Sequence, residues 1–391
     1  MVNTPNSLDC SLFQEKETTV VPALNAGVRF PFIRPASLDD YPQIAVLQAQ
    51  YCMDPQPYDQ WVQAWTDNPV YKEVQERWPI GWVVEDGQGR VVGSFENIPL
   101  SYEFQGARLI AASGRAWVVD ALYRSYSALL LDEFLCQPHA DLYLNTTANA
   151  EAYNDFMAFQ ASRVPVGDWD KTELWIIRYK PFLADWLNRK RVPFPVILSY
   201  PASVALWLRD RLTPKGLSRS RHSVEVEQCD GFDGGFDSFW ETLRTKNSRV
   251  LLAVRSREVL QWHFRNALLQ GRLWIGVIRR TGGIAAYGIF LKQSTHSQVQ
   301  RVTLVDFQAL DDPMLLLPMI DWALHKGRDE GVHVLENVGL CIGQGIPQAR
   351  APYQWRRVWS YLYKAREDGL ARTLNDQNAW APSLFDGDAS L

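Results

Sequence analysis

The sequence is notable first for what it does not contain. No basic stretch leading into an apolar core is read in the opening MVNTPNSLDCSLFQEKE, so no secretory signal is expected there. The longest apolar run, Val192 to Leu208, carries three prolines and falls short of the roughly 20 residues a bilayer crossing requires. Cysteines are few and scattered, at 10, 52, 136, 229 and 341, with no CxxC spacing. That excludes a disulfide framework and a zinc site and fits a reducing cytoplasm. The histidines at 139, 222, 263, 296, 325 and 333 form no HxxxH or HxH pair, so no protein-held metal is expected. Net charge is −4, so the chain as a whole lacks the positive excess of a nucleic-acid binder. G-x-S-x-G and P-loop motifs are missing, and the glycines from Gly339 to Gly345 are wrongly spaced for a dinucleotide fingerprint.

What is present describes a globular chain. Of 391 residues, 47% are hydrophobic and 21% charged, which excludes disorder and coiled coil. Aromatics are abundant (16 Trp, 15 Tyr, 17 Phe), and their apolar faces suit a packed core or the wall of a sugar or cofactor site. One segment stands apart in charge: Arg178 to His222 holds ten Lys/Arg and two Asp, net +8, leaving −12 elsewhere. Such a stretch reads as a linker with a solvated basic face, or as a surface for an anionic membrane or substrate.

Periodicity gives an α/β chain built twice over. Residues 1–27 read as a loose arm. A strand over Val28–Arg34 is followed by a helix start at Ser37, with Asp40 in the capping-box position, then by Ile44, Leu47 and Ala49 on one helical side. Strands are expected at Gly81–Glu85, Arg90–Ile98 and Leu109–Val119, the first two joined by a turn at Asp86–Gly89. A helix over Tyr123–Cys136, a strand at Asp141–Asn145 and a helix over Asn149–Phe159 complete the first unit. The second half repeats the theme: a strand at Ser223–Gln228, helices at Phe236–Asn247 and Arg257–Leu269, strands at Arg272–Ile278, Ala285–Leu291 and Arg301–Gln308, a helix at Pro313–Asp329 and a strand at Val332–Val338. The domains expected are 28–180 and 223–345, joined by a basic and apolar linker at 181–222 and followed by a tail at 346–391.

The run from Ala116 to Leu131, AWVVDALYRSYSALLL, is similar to the strand–loop–helix signature of the GNAT N-acetyltransferases, and Asn145–Ala152 resembles that family's strand-to-helix passage. Backbone N–H groups at a helix N-terminus can cradle a pyrophosphate, and small residues let the loop approach it. Ser125 and Ser127 stand where the family has glycines, and Phe156 stands where its general-acid Tyr is expected, with Tyr153 one turn earlier. The resemblance covers about 28–180, and 223–340 by order of elements only. The tail, with Trp380 and Asp386-Gly387-Asp388, looks like that of GNAT-like proteins encoded with polysaccharide-biosynthesis genes.

The resemblance implies two GNAT-like acyl-CoA N-acyltransferase units, each a mixed, mostly antiparallel sheet flanked by helices. It implies acetyl-CoA or another acyl-CoA as co-substrate, held by Val118, Val119, Arg124, Ser125, Tyr126, Ser127, Ala128 and Asn149. Glu96, Asp120 and Tyr153 are the candidate acid–base residues, and Tyr287, Asp306 and Glu336 the candidates for holding a small-molecule amine, such as an amino sugar or polysaccharide precursor. Two other readings keep the fold. Paired GNAT-like halves also build the Fem-type aminoacyl-tRNA-dependent transferases, where the basic segment would meet tRNA. A catalytically silent scaffold touching a membrane peripherally through 178–222 is the third.

Overall fold

The computed structural model describes residues 30–166, 171–212, 224–294, 299–339, 351–356 and 360–391. The arm at 1–27, Cys10, His222, His296 and the glycine run from 340 onward lie outside the described residues.

Strand β1 (Phe32–Pro35) leads into a 3₁₀ turn where the Ser37 backbone N–H donates to Asp40 Oδ2 at 2.8 Å, as the capping spacing predicts. Helix α1 (Tyr41–Gln50) buries Ile44 and Leu47. Ala49 is exposed, because two residues past Leu47 the helix has turned it to the other side. Two helices that periodicity did not reveal follow: α2 (Tyr58–Thr66) buries Trp61 and Trp65, and α3 (Pro69–Val74) is capped by Asn68. Then β2 (Gly81–Glu85) and β3 (Val91–Phe104) form the expected hairpin. The turn into β4 (Ala107–Val119) places Gln105 and Gly106 at φ 52° and 78°, the left-handed pair that a two-residue hairpin loop demands. A 3₁₀ segment over Ala121–Tyr126 delays the start of α4 (Ser127–Cys136), so Leu130 and Phe134 are buried while Leu129 is exposed. After it come β5 (Leu142–Ala148), α5 (Ala150–Ala158) and the short β6 (Ser162–Arg163).

Beyond 170 lie β7 (Lys171–Ile176), α6 (Tyr179–Arg189), α7 (Pro195–Leu212) and β8 (Glu227–Cys229), so the stretch read as a linker is largely helical. Next are α8 (Gly234–Lys246), β9 (Leu252–Ala253) and α9 (Arg257–Leu269), the last with the bounds the sequence predicted. Strands β10 (Leu273–Arg280), β11 (Gly283–Ser294) and β12 (Gln300–Ala309) precede α10 (Leu316–Asp329) and β13 (Val334–Val338). The tail holds β14 (Tyr353–Arg356), β15 (Ser360–Ala365) and α11 (Asp368–Leu374).

These strands form two mixed sheets flanked by helices. The first runs β1-β2-β3-β4-β5-β15-β6, with β9 also on β3; the second runs β14-β7-β13-β12-β11-β10-β8. Two strands cross the boundaries expected from the sequence. β7, from the end of the first unit, pairs with β13 and β14 in the second sheet. β15, from the tail, is inserted between β5 and β6 of the first. One core then serves both halves: Leu47, Trp61, Val118 and Leu144 of the first sheet's side join Phe264, Ile275, Tyr287 and Ile289 of the second, with Trp380 and Phe385 of the tail between them. A second core under α4 and α5 gathers Phe95, Phe134, Tyr143 and Phe156. α10 closes the outer face of the second sheet through Met319 and Ile320.

Candidate functional site

The first sheet is interrupted where β4 meets β5. The two run parallel and pair only through Ala111–Ser113 with Leu142–Leu144. Beyond those positions β4 continues to Val119 and β5 to Ala148 without pairing to each other. On its other edge β4 carries a bulge: the register against β3 steps from Glu96↔Arg115 to Ser94↔Val118, and Ala116 takes φ 48°. A left-handed alanine costs about 1 kcal/mol, and such bulges re-aim side chains beside sites. Backbone groups on the parted edges are left without the ladder that satisfies them elsewhere in the sheet.

The bulge brings Arg115 beside a buried carboxylate. Glu96 Oε1 accepts from Gln48 Nε2 at 3.0 Å and from Trp61 Nε1 at 2.8 Å. Its Oε2 is buried without a hydrogen-bond partner among the described residues and lies 3.6 Å from Arg115 Nε. Burial pushes the Glu96 pKa up against the pull of Arg115 and of the two donors, and the nearby Asp388 carboxylate adds to the rise. Asp388 arrives from the tail and accepts from Thr146 Oγ1 at 2.6 Å and Thr147 Oγ1 at 3.0 Å, at the end of β5 that has parted from β4. Burial raises its pKa as well. Two carboxylates biased toward protonation and one guanidinium therefore meet where the strands part, the kind of arrangement that proton transfer uses.

A cleft of about 190 Å³ opens alongside, lined by Arg115, Gln60, Gln63, Trp262, His263 and Ser390 among others. His263 is buried, and its Nε2 lies 2.8 Å from Ser390 Oγ. Burial drives its pKa down to about 3, opposed by Asp306 and reinforced by Arg255 and Arg115. The folded protein therefore holds this ring neutral while the unfolded chain protonates near 6.5. Between those values the unfolded state binds more protons, so stability is lost as pH falls below 6.5. At pH 5 the loss from this residue is about 2 kcal/mol. Denaturant titrations at pH 7 and pH 5 should show His263→Gln losing less on acidification than the parent by about that amount.

The other residues expected from the sequence are placed as follows. Asp120 caps the 3₁₀ segment, accepting from the Leu122 N–H at 2.9 Å, and Asn149 caps α5, accepting from the Ala152 N–H at 2.8 Å, so both side chains are committed to their own turns. Arg124, Ser125 and Ala128 are exposed around the start of α4, Ser127 is half-buried, and α4 has no side-chain cap. Tyr126 reaches back to the Pro31 carbonyl at 3.1 Å. Val118 is buried, and Val119 and Tyr153 pack against the core under α4 and α5.

Tyr287 and Asp306 do meet: the Tyr287 hydroxyl donates to Asp306 Oδ2 at 2.8 Å. Both are 0% exposed, and the group they join is a bolt between the halves. Arg255 donates to Asp306 through Nε at 2.9 Å and to Asp386 Oδ1 through Nη2 at 2.9 Å. Tyr102 of β3 and Tyr361 of β15 donate to the Asp386 carbonyl. With no solvent-facing surface, this pair fastens sheet, sheet and tail and does not face an acceptor. Glu336 is not brought to them; it is buried on β13 and paired with Arg301 at 2.7 Å.

Sequence reasoning missed Arg115, Asp388, His263 and Arg255. The first follows from a bulge that no periodicity shows. The others depend on contacts spanning more than a hundred residues, such as Thr146 with Asp388. The acidic Asp386-Gly387-Asp388 run was the one local signal. Gly387 itself is required there, since a Cβ would stand 2.3 Å from Thr146 Cγ2.

No family model matches the sequence. No curated protein matches it either. Solved structures do. Saccharomyces cerevisiae N-myristoyltransferase with bound myristoyl-CoA superposes with a TM-score of 0.54 at 12% identity, covering 90% of this chain and 81% of that one. A GCN5-related N-acetyltransferase from Anabaena variabilis gives 0.50 at 13% identity, covering 86% and 72%. One from Kribbella flavida gives 0.51 at 11%, covering 86% and 71%. The fold of this chain is the mixed α/β arrangement of two GNAT-like units seen in those N-acetyltransferases and N-myristoyltransferases.

Proposed function

We propose that the protein is an acyl-CoA-dependent N-acyltransferase whose active centre lies at the parted ends of β4 and β5. The observation that carries this is the pair of proton-biased carboxylates, Glu96 and Asp388, set with Arg115 beside unpaired strand edges. Acyl-CoA would lie along the open edge of β4, with its pyrophosphate over the exposed, uncapped start of α4. Ser125, Ser127 and Ala128 keep the approach clear there, and Arg124 supplies a cation. The amine would enter from the cleft beside Arg115 and attack the thioester carbonyl while a strand N–H polarises it. Glu96 Oε2 takes the ammonium proton as the C–N bond forms. The C–S bond then breaks, the CoA thiolate leaves and takes a proton from water, and Glu96 returns its own proton to solvent. Fold likeness to acyl-CoA enzymes supports the donor class.

Two finer points belong to the same proposal. Phe95 stacks on Trp117 at 5.0 Å, and Trp117 meets Phe156 edge-on at 6.1 Å, so rings fill the space behind the bulge where a long chain would go. This favours acetyl over long acyl groups. Trp262 and the amides of Gln60 and Gln63 line the cleft, a mix of aromatic and polar side chains in keeping with an amino sugar or polysaccharide precursor as acceptor. Isothermal titration tests the donor: acetyl-CoA should bind at micromolar strength, palmitoyl-CoA more weakly, and Arg124→Ala should weaken acetyl-CoA by about tenfold. No heat with either donor would end this reading.

A further inference from the structure

The α6–α7 hairpin exposes a face that the other described residues leave uncovered. Phe194, Ile197, Tyr200, Val204, Trp207 and Leu208 are each 41 to 72% exposed. Ile197, Tyr200, Val204 and Leu208 recur at three- and four-residue steps, which stacks them in one stripe along α7. The opposite side of the helix is taken: Ala202 and Leu206 pack with Phe182 and Leu183 of α6 and with Leu174 and Ile176 of β7. The helix thus lies flat on the second sheet's flank with its apolar stripe outward for about 17 Å from Ile197 to Leu208. None of the described helices is long and apolar enough to cross a membrane.

Charge frames this stripe. No ionisable acid or base interrupts Pro195 to Leu208 apart from the Tyr200 phenol, while Arg189, Lys190 and Arg191 precede it and Arg209 and Arg211 follow. From 178 to 212 seven Lys/Arg stand against two Asp, net +5. Lys180 sits over the Tyr200 ring at 3.8 Å and Arg211 over the Trp207 ring at 4.4 Å, so cations border the aromatics at the edge of the apolar face. An apolar stripe edged by aromatics and cations matches the layering of an anionic bilayer surface, with acyl chains beneath and phosphates above. A second copy of the chain would bring two +5 patches together, and a nucleic acid would leave the aliphatic stripe in water.

We propose that the outer face of α6–α7 docks the protein on anionic lipid bilayers, with α7 lying in the interface plane. The proposal is independent of acyl transfer. The full-length protein should sediment with phosphatidylcholine vesicles containing phosphatidylglycerol, and at least about tenfold less with phosphatidylcholine alone. Val204→Glu, at an exposed position, and the double variant Lys190→Glu/Arg191→Glu should each weaken the anionic binding about tenfold or more. Both should melt within about 2 °C of the parent. Equal binding to the two vesicle types, or unchanged binding by Val204→Glu, overturns the proposal. So does a drop of many degrees in the melting temperature of Val204→Glu, which would mean that the chain itself covers this face. A dimer in solution that Val204→Glu dissociates, without vesicle binding, overturns it in favour of a second copy.

Discussion

Replacing Glu96 with Gln is expected to lower kcat/KM for amine acylation by about 10²- to 10⁴-fold, the usual worth of a positioned general base. Acyl-CoA affinity should not change, because the proposed arrangement gives Glu96, on β3, to the amine and not to the donor. Gln is nearly isosteric, and its carbonyl oxygen can keep the two hydrogen bonds from Gln48 and Trp61. Stability gives a second, opposite readout. Burial raises the carboxyl pKa, so the ionised side chain is held at a cost near neutral pH. The Gln variant should therefore melt no lower than the parent while losing activity, the trade expected of a strained active-site group. The pH–rate profile should also lose its acidic limb, since the rate in the parent rises as Glu96 deprotonates. A loss below tenfold, or one shared equally by acyl-CoA binding, would remove Glu96 from the mechanism and leave Asp388 to be tested by Asp388→Asn.

Arg255→Met should cost about 3–5 kcal/mol, the penalty for stranding buried carboxylates by removing their partner. Arg255 is 1% exposed and joins Asp306, which is fully buried, to Asp386. Arg255 holds the Asp306 carboxyl below its usual range, whereas burial keeps the Asp386 pKa up at about 6. Without the guanidinium both carboxyls would bind protons more readily, so the defect should be smaller at pH 5 than at pH 7. The triple variant Arg255→Met/Asp306→Asn/Asp386→Asn should recover much of the loss, because neutral amides need no counter-ion. Guanidinium titrations of the three proteins decide it. Full stability with abolished catalysis in Arg255→Met would return this cluster to the active site.

Local order was well written in the sequence. The apolar spacing through Leu260 and Phe264 set α9 correctly, and the Asp86–Gly89 turn fixed the first hairpin. Asn149 was placed at the right helix start, although its side chain serves the cap. What failed was whatever depends on distant partners. α2 buries Trp61, Ala64 and Trp65 at helical steps, but it is nine residues long and has no side-chain cap, so its signal in the sequence is short. Glu96 is a candidate base in the sequence only through the family resemblance, which draws a carboxylate from a strand beside the motif. Its significance comes from Gln48, Trp61, Arg115 and Asp388, which converge on it from four other elements. Pairings such as Leu144 with Tyr363 leave no mark on either segment alone.

The exchange of β7 and β15 between the sheets bears on how the chain is made. During synthesis the first sheet can assemble β1 through β5 early, but β6 has no neighbour to pair with until β15 has left the ribosome. The carboxylate at Asp388 and the Asp386 bolt come later still. Until then β5 presents an open edge, the state in which nascent sheets are prone to pair with the wrong partner. Cutting the protein at the apparent seam near residue 180 would yield two fragments, each missing a strand the other carries. Mixing the fragments should restore folding where neither folds alone, so the halves are better regarded as one interlocked folding unit than as tandem modules.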